Sequence, residues 1–150
     1  MAKFKFRLAT LLRMRESVRD ERRAHLAQAY RADEILQQQQ QQVEAELDDM
    51  RAQARRAAGP GQVDVDRLIE ARRFEVVLMA QKEQLLRQQE MVRAEIERRR
   101  QTLVEANREV RVLENLRARQ RERHQAEENR QEIKRLDEAA LMRAGREERS

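Results

Sequence analysis

Ala57-Ala58-Gly59-Pro60-Gly61-Gln62-Val63-Asp64-Val65-Asp66 decides the fold, because this stretch interrupts a helical pattern that runs through the rest of the chain. Proline lacks an amide proton and its ring clashes with the preceding turn. Glycine adopts the left-handed conformation that closes many helices. Asp64 or Asp66 can then accept the free amides of a new first turn. The reading is a first helix over about residues 8–57, a turn over 58–63, and a second helix over about 64–143, with Gly145 marking its end. At about 1.5 Å per residue such helices span roughly 75 Å and 120 Å.

Composition supports two long helices and little else. Of 150 residues, 41% are charged and 3% aromatic, with one proline and no tryptophan. Mean hydropathy is -1.03. A thick globular core cannot be filled from this, whereas a narrow seam between two helices can. Ala, Leu, Glu, Arg and Gln dominate, and these side chains lose little rotamer freedom in a helix. The run Gln37 to Gln42 reads as a polar stretch of the same helix. The absence of cysteine excludes disulfides and thiolate metal sites. No apolar run approaches the roughly 20 residues that span a bilayer. The start, Met1-Ala-Lys-Phe-Lys-Phe-Arg7, lacks the apolar stretch of a secretion signal. The expectation is a cytoplasmic protein without membrane insertion.

A seam can be traced in both helices. In the first it runs Leu8, Leu11, Arg15, Val18, Arg22, His25, Ala29, Ala32, Leu36, Gln40, Val43, Leu47, Met50 and Ala54. In the second it runs Ala71, Phe74, Leu78, Gln81, Leu85, Gln89, Val92, Ile96, Arg99, Leu103, Ala106, Val110 and Leu113. Steps of three and four alternate, as a coiled coil requires. Each helix has one departure, a double step of four at Ala32-Leu36-Gln40 and at Gln81-Leu85-Gln89. Folding the chain back at the turn pairs residues whose numbers add to 121. This sets Leu8 with Leu113, Leu11 with Val110, Leu36 with Leu85, Val43 with Leu78 and Leu47 with Phe74. The two irregular steps then coincide, as a local unwinding of the supercoil demands. The fold class is therefore all-α: two long helices forming an antiparallel coiled-coil hairpin, the second helix longer. Arg22 faces Arg99 in this register, a like-charge layer. From Glu114 onward the second helix has no partner, although Ile133, Leu136 and Ala140 continue an apolar stripe.

Charge is unevenly spread. Residues 1–31 and 91–150 together carry 25 basic and 16 acidic side chains, a balance of +9, and residues 32–90 carry 8 and 12, a balance of -4. A basic open end and an acidic turn end can orient the approach of a complementary partner.

Catalytic signals are missing. His25 falls in the seam and His124 on the overhang, and neither has a serine, cysteine or second histidine at a spacing that makes a nucleophile or metal set. Gly59 and Gly61 belong to the turn and form no phosphate loop. The reading is a protein that is not an enzyme and holds no cofactor or metal. Arg98-Arg99-Arg100 with Arg117, Arg119, Arg121 and Arg123 could track a nucleic-acid backbone. Glu97, Glu105, Glu109, Glu114 and Glu122 interleave with them and no aromatics accompany them, so a solvated face with i,i+4 ion pairs accounts for the pattern and no nucleic-acid partner is expected. Ile69, Val76, Met79 and Leu86, and on the first helix Tyr30 and Ile35, lie off the seam. They read either as a broad seam edge or as a stripe that binds a partner.

Both ends of the chain resemble one family. Phe4-Lys-Phe-Arg-Leu-Ala-Thr-Leu-Leu-Arg-Met-Arg-Glu16 is similar to the start of many FliJ proteins. Leu113-Glu-Asn-Leu-Arg117, Glu127-Glu128 and Lys134-Arg-Leu-Asp-Glu-Ala-Ala-Leu-Met-Arg143 resemble their end, and the length and central turn agree. The resemblance implies a non-enzymatic part of the flagellar type III export apparatus, cytoplasmic and peripheral at the inner-membrane export base. It implies a stalk that enters the hexameric export ATPase FliI and promotes its ring. It also implies contact with the export gate FlhA, escort of export chaperones, and proximity to the ATPase regulator FliH. Ring contact carries over to Arg7, Leu8, Leu11, Leu12 and Arg15, and on the overhang to Arg117, Arg121, Lys134, Leu136, Asp137 and Arg143. The gate contact carries over to a stripe like Phe74, Leu78, Gln81 and Leu85. The seam above hides those four, so either the register is off by a residue or the gate contact uses the neighbouring Val76, Met79 and Leu86, and the second reading is preferred. Outside the resemblance, a generic dimerising spacer and a basic nucleic-acid-binding helix pair remain the alternative readings.

Overall fold

The computed structural model describes residues 2–150. Two helices account for nearly all of it, α1 over Ala9–Ala57 and the longer α2 over Val65–Glu147. The turn between them is built as its residues demand. Gly61 takes a φ of 123°, the left-handed conformation that side chains disfavour. The Asp64 carboxylate accepts from the Arg67 amide at 3.2 Å, an N-cap, and the Asp64 amide closes the turn onto the Ala57 carbonyl at 3.1 Å. Gln37 to Gln42 are helical. Gly145, expected to end α2, lies inside it, and the helix runs two residues further. A single glycine costs a helix only about 1 kcal/mol relative to alanine, which flanking good helix formers override.

The described chain divides into two compact units. One holds residues 21–104 and the other residues 2–20 with 105–150. In the first unit, the turn unit, α1 and α2 run antiparallel around Val43, Leu47 and Leu78, with Met50 and Leu85 packed against them. Buried and half-buried positions at alternating steps of three and four run along both of its helices. On α1 they include Ala29, Asp33, Leu36, Gln40, Val43, Leu47, Met50 and Ala54. On α2 they include Ala71, Glu75, Leu78, Lys82, Leu85, Gln89, Val92 and Ile96. The irregular step expected at Gln81-Leu85-Gln89 is absent because Gln81 is exposed, whereas Ala32, Leu36 and Gln40 on α1 are all half-buried. Asp33 is half-buried beside Ala32 on the first helix, and Glu75 and Lys82 take the places given to Phe74 and Gln81 on the second. Phe74 is 58% exposed.

The register changes accordingly. Ala54 with Ala71, Leu47 with Leu78, Leu36 with Gln89 and Ala29 with Ile96 all add to 125, one helical turn from the expected 121. Cross-helix polar contacts lie on either side of this value: Arg99 to the His25 carbonyl adds to 124, and Arg51 to Glu75 at 3.2 Å and Lys82 to Glu44 at 3.1 Å each add to 126. Polar residues inside the seam are satisfied. Gln89, 5% exposed, accepts from the Gln40 side chain at 2.9 Å and donates to Asp33 at 3.2 Å. Arg99, expected to clash with Arg22, donates to Glu95 at 2.9 Å and to the His25 carbonyl.

The second unit, the terminal unit, is held by Leu12, Val110 and Leu113, against which Phe6, Leu8 and Leu11 pack. Arg15 donates to Glu109 at 2.7 Å beside this cluster. The residues before α1 are not helical, yet they extend the contact. The Phe4 ring lies 5.6 Å from the His124 ring, and the Arg121 guanidinium sits 5.8 Å over it. Leu116, Arg117, Gln120, His124 and Glu128 are half-buried along this stretch of α2. The partnerless stretch expected from Glu114 begins only after Glu128, and residues 129–150 are exposed throughout.

Candidate interaction surfaces

Clefts open on either side of the contact between the helices, lined by Gln39, Gln42, Gln81 and Gln88 on one side and by Val76, Met79 and Leu86 on the other. In the terminal unit, the side chains carried over for the ATPase ring fall into three settings. Leu12 is 3% exposed and belongs to the core, with Leu8 and Leu11 half-buried against it. They shape the surface from beneath. Arg15, ion-paired to Glu109, and Arg117 are half-buried, whereas Arg7 and Arg121 are exposed. Lys134, Leu136, Asp137 and Arg143 stand on the exposed last turns of α2, with Ile133, Leu141 and Met142 among them. A helix that shows four large apolar side chains to water within ten residues presents a surface suited to a partner. Phe4 is the residue that sequence reading missed here. Its signal was the pairing of an aromatic ring with a distant Arg-x-x-His on α2, which helical periodicity does not register.

In the turn unit, the residues carried over for the export gate separate onto both flanks of α2. Leu78 is 6% exposed and Leu85 half-buried, so these two hold the seam. Phe74 and Gln81 are exposed on one flank, correcting their place in the seam. Val76, Met79 and Leu86 are exposed on the other flank, where with Leu47, Arg51 and Lys82 they line a shallow apolar groove. Ile69 and Val65 extend the exposed apolar run toward the turn.

Electrostatics in this unit are local. Hydrogen bonds from Arg72 at 2.7 Å and Arg51 at 3.2 Å hold the Glu75 carboxyl below its ordinary value of 4.5. A hydrogen bond from Arg99, with Arg98 alongside, does the same for Glu95. No described helix is long and apolar enough to cross a membrane.

An antiparallel helical hairpin with a polar-studded seam and exposed apolar flanks defines a coiled-coil protein. The family follows from a direct match: the chain belongs to the flagellar FliJ protein family, whose model matches residues 4–149. It is thus a component of flagellar protein export, in a family that is not one of enzymes. Neither a curated protein nor a solved structure matches the chain.

Proposed function

We propose that the chain is the stalk of the flagellar export ATPase. The observation that carries this reading is the family match over residues 4–149, joined to an α2 end that stays exposed from residue 129 onward. In this reading the ATPase ring FliI receives the terminal unit. The basic side chains Arg7, Arg117, Arg121, Lys134 and Arg143 meet acidic surface, and Leu136 packs into the bore with its apolar neighbours. Leu8, Leu11, Leu12, Arg15 and Asp137 set the shape and polarity of that end. The turn unit meets the export gate FlhA through Val76, Met79 and Leu86, with Phe74 and Gln81 available on the other flank. Export chaperones and the regulator FliH are further partners, and the chain works on the cytoplasmic side of the export base. The chain contributes geometry and no chemistry: a two-helix coil is stiff along its axis, and binding the assembled ring in preference to free subunits shifts them toward the hexamer.

The test mixes the purified chain with the export ATPase and follows hydrolysis rate and particle mass. Stimulated hydrolysis with a larger hexamer fraction is expected. Arg117→Glu with Arg121→Glu should lose the stimulation while keeping helical circular dichroism. An unchanged rate and mass with the parent chain would remove the stalk reading and leave a generic spacer.

A further inference from the structure

One flank of the turn unit is almost without charge. On α2 it presents Phe74, Val77, Gln81, Gln84, Gln88 and Met91, all exposed and spaced by three and four. A chain that is 41% charged places no charge at any of these six positions. The facing edge of α1 supplies Ile35, Gln39 and Gln42, and a groove runs between the two helices with Glu46 as its lone acid. The other flank of the same helix differs, since Arg72, Glu83, Glu90 and Arg93 alternate there with the aliphatic residues. None of the amides of Gln39, Gln42, Gln81, Gln84 or Gln88 bonds to another group of the described chain, although Gln37 and Gln53 do bond to acids four residues away.

We propose that this uncharged flank is the contact by which two copies of the chain pair about a two-fold axis. A two-fold contact must be complementary to itself. Charged side chains meet like charge near the axis, whereas a glutamine amide carries both donor and acceptor and so complements its own kind. The order of residues along α2 has the required symmetry. An axis between Lys82 and Glu83, running through the flank, sets Gln81 against Gln84 of the second copy, Val77 against Gln88, and Phe74 against Met91. Amides meet amides at the centre. At each end an aromatic ring meets a thioether, a favourable pairing. Ile35 of α1 adds to the apolar end near Met91. The patch covers about 25 Å along the helix and about 20 Å across the pair, on the order of 500 Å² per copy. That lies in the size class of weak, transient pairs, with dissociation constants near tens of micromolar. The contact leaves Val76, Met79 and Leu86 uncovered on the opposite flank.

Sedimentation equilibrium of the full chain over roughly 5–500 µM tests this, with the range set to bracket the affinity expected for so small a contact. Mass should rise with concentration from 18.0 kDa toward twice that value. Gln81→Glu with Gln84→Glu sets like charges face to face across the axis and should weaken pairing at least about tenfold. Gln81→Glu with Gln84→Lys sets opposite charges there and should pair at least as tightly as the parent. Both variants alter only exposed positions, and unchanged helical circular dichroism verifies that they fold. A parent that stays at 18.0 kDa throughout overturns the proposal. So does a double-glutamate variant that pairs like the parent, or a charge-swapped variant that falls apart like it.

Discussion

Gln40 donates its side-chain amide to Gln89 across the seam at 2.9 Å, and Gln89 in turn donates to Asp33 at 3.2 Å. This ladder sits one turn beyond the Val43, Leu47 and Leu78 cluster. Leucine at both glutamine positions would bury more apolar surface. A polar pair inside a coiled coil instead fixes the register, at a cost in stability. Gln40→Leu with Gln89→Leu is expected to raise the melting temperature while admitting slipped registers. Spin labels at the exposed positions 34 and 90 should then report a broadened distance distribution. A sharper or unchanged distribution would show that the aliphatic seam alone sets the register.

Leu47 and Met79 separate core from flank. Leu47 is 3% exposed between Val43 and Leu78, and Leu47→Ala should cost about 2–5 kcal/mol in urea unfolding. Met79 is 52% exposed, and Met79→Ala should stay within about 0.5 kcal/mol. Equal losses from the two substitutions would contradict the seam described above.

Phe4 clasps α2 through His124 and Arg121. Such an exposed contact is worth only about 0.5–1 kcal/mol, so Phe4→Ala should leave global unfolding nearly unchanged. Its effect should be local. The half-buried side chains of Gln120 and His124 become more exposed, and hydrogen exchange should quicken over residues 2–8 and 116–124. Exchange that quickens equally near Leu47 would contradict a local clasp.

Glu75 and Glu95 are expected to contribute to the acid sensitivity of the turn unit. Their folded values lie below 4.5 because arginines bond the charged form. Unfolding therefore takes up protons at mildly acidic pH. The stabilisation is fully present above about 4.5 and fades as pH falls through the lower folded values. Glu75→Gln should flatten the loss of melting temperature between about pH 5 and pH 3. The same steepness in the variant as in the parent would show that Glu75 does not contribute.

The hairpin was legible because Gly59-Pro60-Gly61 is the single strong break, and because leucine and valine recur at three-four spacing on both sides of it. The exact partners were less legible, for identifiable reasons. Hydrophobicity favoured Phe74 over Glu75 and Gln81 over Lys82. Glutamate and lysine nevertheless fit the seam, because their aliphatic stems pack while Arg51, Arg72 and Glu44 take up their charges. A slip of one turn between two aliphatic seams still pairs Val43 with the neighbourhood of Leu78, so the apolar pattern alone barely distinguishes 121 from 125. Phe4 and Phe6 lie outside any helix, and a reading built on helical period gave them no partner. The exposed flank residues Val76, Met79 and Leu86 were found from their offset to the seam, which survived the change of register.

The register itself offers the most direct test, and a chain without cysteine suits it. In an antiparallel seam centred on 125, Met50→Cys with Glu75→Cys should form an intramolecular disulfide rapidly under mild oxidation. Met50→Cys with Ala71→Cys, the partner under 121, should form one slowly or not at all. The reverse order of rates would contradict the register, and with it the separation of buried from available residues on which the assigned surfaces stand.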